Sequence, residues 1–216
     1  MRPRVLVFAS GSAEGGGSGF EKLVDASRGG LLDAEIIAVV SNHANGGVCK
    51  RADKLGIPFV YFGGPWSADG YQRIKRVHDP EFFACSGWLK RVMGLDPSRT
   101  FNIHPGPLPK FGGDGMYGHR VHEAVMVAYH RGEITHSAVS MHFVIPEYDR
   151  GPLFFQFNVP ILEEDTADSL GSRVNKWEHY WQPQITNLVV HREIYWDGVD
   201  FASLRCPKGY EIVRGK

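Results

Sequence analysis

Asn102 and His104 stand two residues apart at the end of a stretch, Thr100 to His104, that reads as a β-strand. Residues i and i+2 of a strand share a face, so the amide and the imidazole point at one spot. Pro105, Pro107 and Pro109 then stop the strand and stiffen the chain that leaves it. A donor amide beside a titratable ring on a rigid exit suits polarising a carbonyl and moving a proton. A third group sits in Glu147-Tyr148-Asp149-Arg150-Gly151-Pro152, which reads as a turn entering a strand. A carboxylate such as Asp149 beside an imidazole raises its basicity and fixes its orientation.

A different chemistry is suggested by Gly15-Gly16-Gly17-Ser18-Gly19, between a predicted strand and a predicted helix. Backbone N–H groups and the helix dipole favour an anion there. The P-loop pattern needs Lys after its second constrained glycine, but Gly17 and Ser18 follow Gly16. A dinucleotide site wants an acidic residue where the second strand ends, and here the chain runs Val40-Ser41-Asn42-His43. A phosphate monoester is the expected anion. His119, His122 and Glu123 have helical spacing but match neither HExxH nor HxxEH, so no metal is expected.

The elements that must position these groups follow from apolar periodicity. Arg4 to Ser10, with the unbroken run Val5 to Ala9, reads as a buried parallel strand. Further strands are predicted at Glu35 to Val40, Pro58 to Phe62, Glu81 to Cys85 and Thr100 to His104. Helices are predicted from Phe20 to about Ser27, Gly47 to Leu55 and Ala68 to His78. This alternation implies a parallel, right-handed, doubly wound sheet. Beyond it, Gly118 to Arg131 reads as a helix, and Ser137 to Val144 with Leu153 to Val159 as an antiparallel pair. A long helix starts at Asp165-Thr166 with Leu170, Val174, Trp177 and Trp181 on one stripe. The tail from Asp197 carries a short strand-like piece. With 216 residues, no internal repeat and no linker, one α/β domain over 1–216 is the simplest organisation.

Lys+Arg and Asp+Glu both number 24, which argues against a general nucleic-acid binder with its broad basic surface. Cys49, Cys85 and Cys206 show no CxxC spacing, which fits reduced thiols in a cytoplasmic protein. No apolar run approaches membrane length, so no membrane association is expected. The expected partners are small molecules, with the chain a monomer or homodimer.

From Val5 to about Pro183 the chain resembles the folate-dependent formyltransferases. The resemblance is carried most specifically by Asn102-Ile103-His104-Pro105 with Leu108-Pro109-Lys110-Phe111, and next by Asp149-x-Gly151-Pro152. It implies a single-domain, Rossmann-like formyltransferase fold with a parallel phosphate-binding half (1–104). The catalytic and folate half (105–216) would carry the antiparallel strands and long helix. It further implies formyl transfer from 10-formyltetrahydrofolate to the amine of glycinamide ribonucleotide in purine biosynthesis. Asn102, His104 and Asp149 would form the catalytic trio, and no metal is required.

The resemblance also places the acceptor's phosphate on Gly17-Ser18-Gly19. Phe20 and Pro107 would lie beside the acceptor and Glu178 against its glycinamide end. The folate would lie on Trp88, Leu89, Lys90 and Val92, with Ile145, Pro146, Glu147 and Tyr148 closing the other side. The phosphate loop is longer than in the family, around Ala13-Glu14-Gly15-Gly16, and Gly19 replaces its usual asparagine. Gly112 to Gly118 is also longer and richer in glycine. Arg51, Arg73 and Arg76 are candidates for the phosphate-binding arginine. An amino sugar nucleotide as acceptor, or hydrolysis of the folate by water, is the alternative.

Overall fold

Val5 and Val7 on one side of strand β1 (Arg4–Phe8) and Leu6 and Phe8 on the other are all fully buried. The chain packs a layer on each face of this strand, which is why its sequence is continuously apolar rather than alternating. The computed structural model describes residues 1–207; the expected domain runs on to 216, and 208–216 lie outside the described residues.

After β1 come α1 (Ser18–Gly29), β2 (Glu35–Ser41), α2 (Gly47–Leu55), β3 (Phe59–Tyr61), α3 (Ala68–His78), β4 (Phe82–Ser86) and β5 (Thr100–His104). Then follow α4 (His119–His130), β6 (His136–Phe143), β7 (Leu153–Pro160) and α5 (Ala167–Val190). One seven-stranded sheet has the order β3-β2-β1-β4-β5-β6-β7. Its pairs are parallel from β3 through β5 and antiparallel from β5 to β7. This is the expected architecture, with element ends shifted by a residue or two.

Val5 and Val7 pack with Phe20 and Leu23 of α1, Val121 and Val125 of α4, and Leu170 and Val174 of α5. Leu6 and Phe8 pack on the other face with Tyr71 and Ile74 of α3 and with Trp88. The strand order reverses at β1, between β2 and β4. A crevice therefore opens beyond the carboxyl ends of β1 and β4, the usual ligand position in an open α/β sheet.

Helix α1 begins at Ser18, earlier than the predicted Phe20. Gly16 and Gly17 have φ of +93° and +78°, and this left-handed pair turns the chain into the helix at once. The Thr166 side chain accepts from Ser169 N–H and the Ser169 side chain from Thr166 N–H, starting α5 with a capping box. Helix α5 runs on through Pro183 to Val190. The strand-like piece of the tail is an isolated bridge between Tyr195 and Arg205.

Candidate active site

β5 delivers Asn102 and His104 to the carboxyl end of the sheet. His104 is 3% exposed, and its Nε2 donates to the Phe111 carbonyl at 2.7 Å. That bond fixes the ring and leaves Nδ1 on the side of Asp149. The rigid exit is held from behind, for Ser140 Oγ donates to the Gly106 carbonyl at 2.7 Å. Gln156 Nε2 donates to the Leu108 carbonyl at 3.2 Å and to Ser140 Oγ at 2.9 Å. The buried polar groups of β6 and β7 thus satisfy the carbonyls that the prolines cannot partner.

Asp149 reaches the same spot from the β6–β7 connection. Its φ of +54° is left-handed, a conformation that Asp tolerates better than most side chains. Gly151 follows because a Cβ there would collide with the Phe143 carbonyl. Asp149 Oδ2 lies 3.7 Å from His104 Nδ1 and accepts from the Gly113 N–H at 2.9 Å. A separation of 3.7 Å is too long for a direct hydrogen bond.

His142, which sequence reasoning missed, completes the set. It pairs directly with Asn102 across the β5–β6 ladder, so both side chains share one face. Its Nε2 lies 3.2 Å from Asn102 Nδ2 and 3.3 Å from Asp149 Oδ1, and its Nδ1 donates to the Phe143 carbonyl at 2.8 Å. Burial pushes the Asp149 carboxyl up, but the His142 hydrogen bond, nearby His104 and the Gly113 N–H outweigh it and hold it below the usual value. Burial holds the His104 imidazole below its usual value against the pull of Asp149 and the Phe111 carbonyl. A neutral base thus faces an ionised carboxylate.

Asn102, His104 and Asp149 line a cavity of about 370 Å³ whose far end is the glycine loop. Gly11 and Gly16 approach so closely that a Cβ on Gly16 would collide with the Gly11 Cα. The N–H groups of Ser18, Gly19 and Phe20, in the first turn of α1, have no intrahelical acceptor. Arg51 is the candidate arginine that the fold brings to the loop, donating from Nε to the Gly16 carbonyl at 2.8 Å and pairing with Glu21. Glu178 lines the cavity from α5, partly buried, with Asn175 Nδ2 donating at 3.3 Å. Burial raises its carboxyl to about 7.

A smaller cavity of about 50 Å³ adjoins the first. Lys90 and Val92 line one side of it, and Ile145, Pro146, Glu147 and Tyr148 line the other. Trp88, Asn102, Tyr148 and Asp149 line both cavities and so form the partition between them. Trp88 is largely a core residue, stacked on Phe62 and donating from Nε1 to Tyr71 Oη at 2.9 Å. Leu89 lines the larger cavity only.

Two expected site residues are placed otherwise. Phe20 is fully buried among the core side chains, leaving only its backbone N–H to a ligand. Pro107 lies outside the lining of both cavities, and its carbonyl accepts from Phe111 N–H at 3.0 Å in the exit turn. Ser86, His179 and Gln182 line the larger cavity and were not anticipated. Of the histidine cluster, His119 pairs with Glu123 at 3.4 Å and Asp168 at 3.3 Å near the surface, while His122 is buried against Gly171.

An amide, an imidazole and a carboxylate thus gather at the switch point, between two cavities. Residues 3–186 match the family model described as formyl transferase, and the chain belongs to that family. It is similar to the chloroplastic phosphoribosylglycinamide formyltransferase of Vigna unguiculata, with 33% identity over 94% of this chain and 67% of that one. It is 28% identical to the Bacillus subtilis (strain 168) phosphoribosylglycinamide formyltransferase, over 84% of this chain and 92% of that one. The crystal structure of phosphoribosylglycinamide formyltransferase from Anaplasma phagocytophilum superposes with a TM-score of 0.77 at 29% identity, over 98% of each chain.

Proposed function

We propose that the chain moves the formyl group of 10-formyltetrahydrofolate onto the primary amine of glycinamide ribonucleotide, in purine biosynthesis. The carrying observation is the partition, where Asn102 and Asp149 face both cavities at once. The ribonucleotide fits the larger cavity, with phosphate at the glycine loop and the glycinamide end near Glu178. The pterin fits against Lys90 to Val92 and Ile145 to Tyr148, the flat apolar slot with backbone edges that such heterocycles favour.

In this reading the amine nitrogen attacks the formyl carbon, a C–N bond forms and the carbonyl electron pair moves to oxygen. The Asn102 amide donates to that oxygen, and a well-placed donor of this kind is worth roughly 2.7–4 kcal/mol. His104 Nδ1, neutral before reaction, takes up charge as the amine loses its proton and then becomes a second donor to the oxyanion. Asp149 steadies that charge and carries the proton on to the folate nitrogen as its bond to carbon breaks. The chemistry needs no metal and no covalent intermediate on the protein.

The names of similar proteins support this acceptor, including those from Vigna unguiculata and Bacillus subtilis. Among the described residues no helix is long and apolar enough to cross a membrane. We place the reaction in the cytoplasm, although the Vigna relative is named as chloroplastic. An acceptor screen that follows loss of 10-formyltetrahydrofolate tests the reading. Turnover with glycinamide ribonucleotide alone is expected. Turnover with an amino sugar nucleotide, or equal turnover with no acceptor, would replace it with one of the other two reactions.

A further inference from the structure

The glycine loop has the shape for a phosphate but little charge to spare. Arg51 is committed to the Gly16 carbonyl and Glu21, and Lys22 lies 3.6 Å from Asp25. Across the cavity, α5 presents His179 and Gln182 to the loop from one face, as their i, i+3 spacing allows. His179 Nε2 is 3.0 Å from Ser18 Oγ, on the first residue of α1. Gln182 is 1% exposed, and its carbonyl accepts from Ser86 Oγ at 3.1 Å. Its amide nitrogen has no hydrogen-bond partner. Gln182 lies against Gly19, where an added Cβ would sit 2.8 Å from its Oε1 and collide with Ser86 Oγ. A buried donor left unpaired costs about 1–3 kcal/mol, a cost that an acceptor oxygen on a ligand would offset.

We propose that His179 carries the positive charge of this phosphate subsite and that Gln182 supplies the neutral donor beside it. Helix α5, rather than an arginine, then completes the anion site. The proposal rests on the phosphate-monoester reading of the acceptor. The groups facing His179 are Glu21 and Lys22 of α1, Arg51 of α2, and Glu178 beside it on α5. Burial, Lys22 and Arg51 hold the imidazole below its usual value, against Glu21. The empty site thus favours the neutral ring, and the arriving dianion draws a proton onto it. Anion binding is therefore tied to proton uptake and weakens as pH rises, by up to about tenfold per pH unit for one proton.

Sulfate is the probe, because it does not titrate in this range. Its binding to the whole chain is measured calorimetrically between about pH 5.5 and about pH 8.5, the range in which a histidine titrates. Buffers of different ionisation enthalpy count the protons taken up. The wild type is expected to bind more weakly as pH rises and to take up close to one proton per sulfate. His179→Gln should bind weakly and His179→Lys tightly, each keeping only the shallow slope that the Glu178 carboxyl, raised to about 7, contributes. Gln182→Leu should weaken binding several-fold at every pH and keep the slope. A flat wild-type profile, or a His179→Gln variant with the wild-type slope, overturns the proposal. Circular dichroism identifies the folded variants, and if His179→Gln fails to fold, the slope of His179→Lys decides. Sulfate binding needs no formyl donor, so absent formyl transfer would sink the proposed reaction while leaving this inference standing.

Discussion

At the loop end of the cavity the groups waiting for a ligand are chiefly backbone N–H, held open by Gly11, Gly16 and Gly17 with positive φ. At the β5 end they are side chains, namely Asn102, His104, His142 and Asp149, each oriented by another residue. A backbone site asks only that the chain take a certain path. It therefore tolerates changes in loop length and in side chain better than a side-chain site does. A side-chain site depends on the identity of each residue: burial has already shifted the titration of His104, and hydrogen bonds and nearby His104 that of Asp149. Changes at the two ends should accordingly fail in different ways, in turnover at one and in binding at the other.

The strongest break in that contrast comes from Asp149→Asn, which keeps the shape and the left-handed backbone and removes only the charge. Steady-state kinetics should show kcat reduced roughly 10²–10⁴-fold, the range of a positioned acid–base group. A change confined to KM would move Asp149 to the binding side. Gly16→Ala is expected next, since it forces a side chain onto φ +93° and against Gly11. Strain of about 1–3 kcal/mol should raise the acceptor's KM roughly tenfold while kcat at saturation holds. A collapse of kcat instead would show that the two ends are not separable.

Glu178→Gln sharpens the comparison with the smallest effect. The Glu178 carboxyl is raised from 4.5 to about 7 in the folded chain. The folded state therefore holds this proton more tightly, and the resulting stability is full below 4.5 and lost as pH rises through about 7. Melting curves of the ligand-free protein should decline across that window, and Gln at position 178 should flatten the decline. Parallel curves for the two proteins would mean that Glu178 is as solvated as an ordinary surface carboxylate.

Much of the fold was legible because the apolar runs of the strands and the stripe Leu170, Val174 on α5 repeat at the periods of those elements. Asn102 and His104 could be paired from spacing alone, since neighbours on one strand share a face by local geometry. His142 could not. It meets Asn102 only through the β5–β6 register, a pairing set by the packing of distant segments. Ser86, His179 and Gln182 were hidden for the same reason, because their meeting with the loop depends on how β4 and α5 pack beside α1. Phe20 shows the converse case, for a residue adjacent to the glycine loop in sequence turns its side chain into the core and keeps only its backbone N–H on the loop side.

The Gly113 N–H that donates to Asp149 Oδ2 belongs to the extended glycine-rich segment 112–118. An amide hydrogen held in this way exchanges with solvent slowly while the bond lasts and quickly once it opens. Gly113 is thus a native clock for the carboxylate. Deuterium uptake at that one glycine, compared between the free protein and each substrate complex, measures how readily the Asp149 carboxylate is let go.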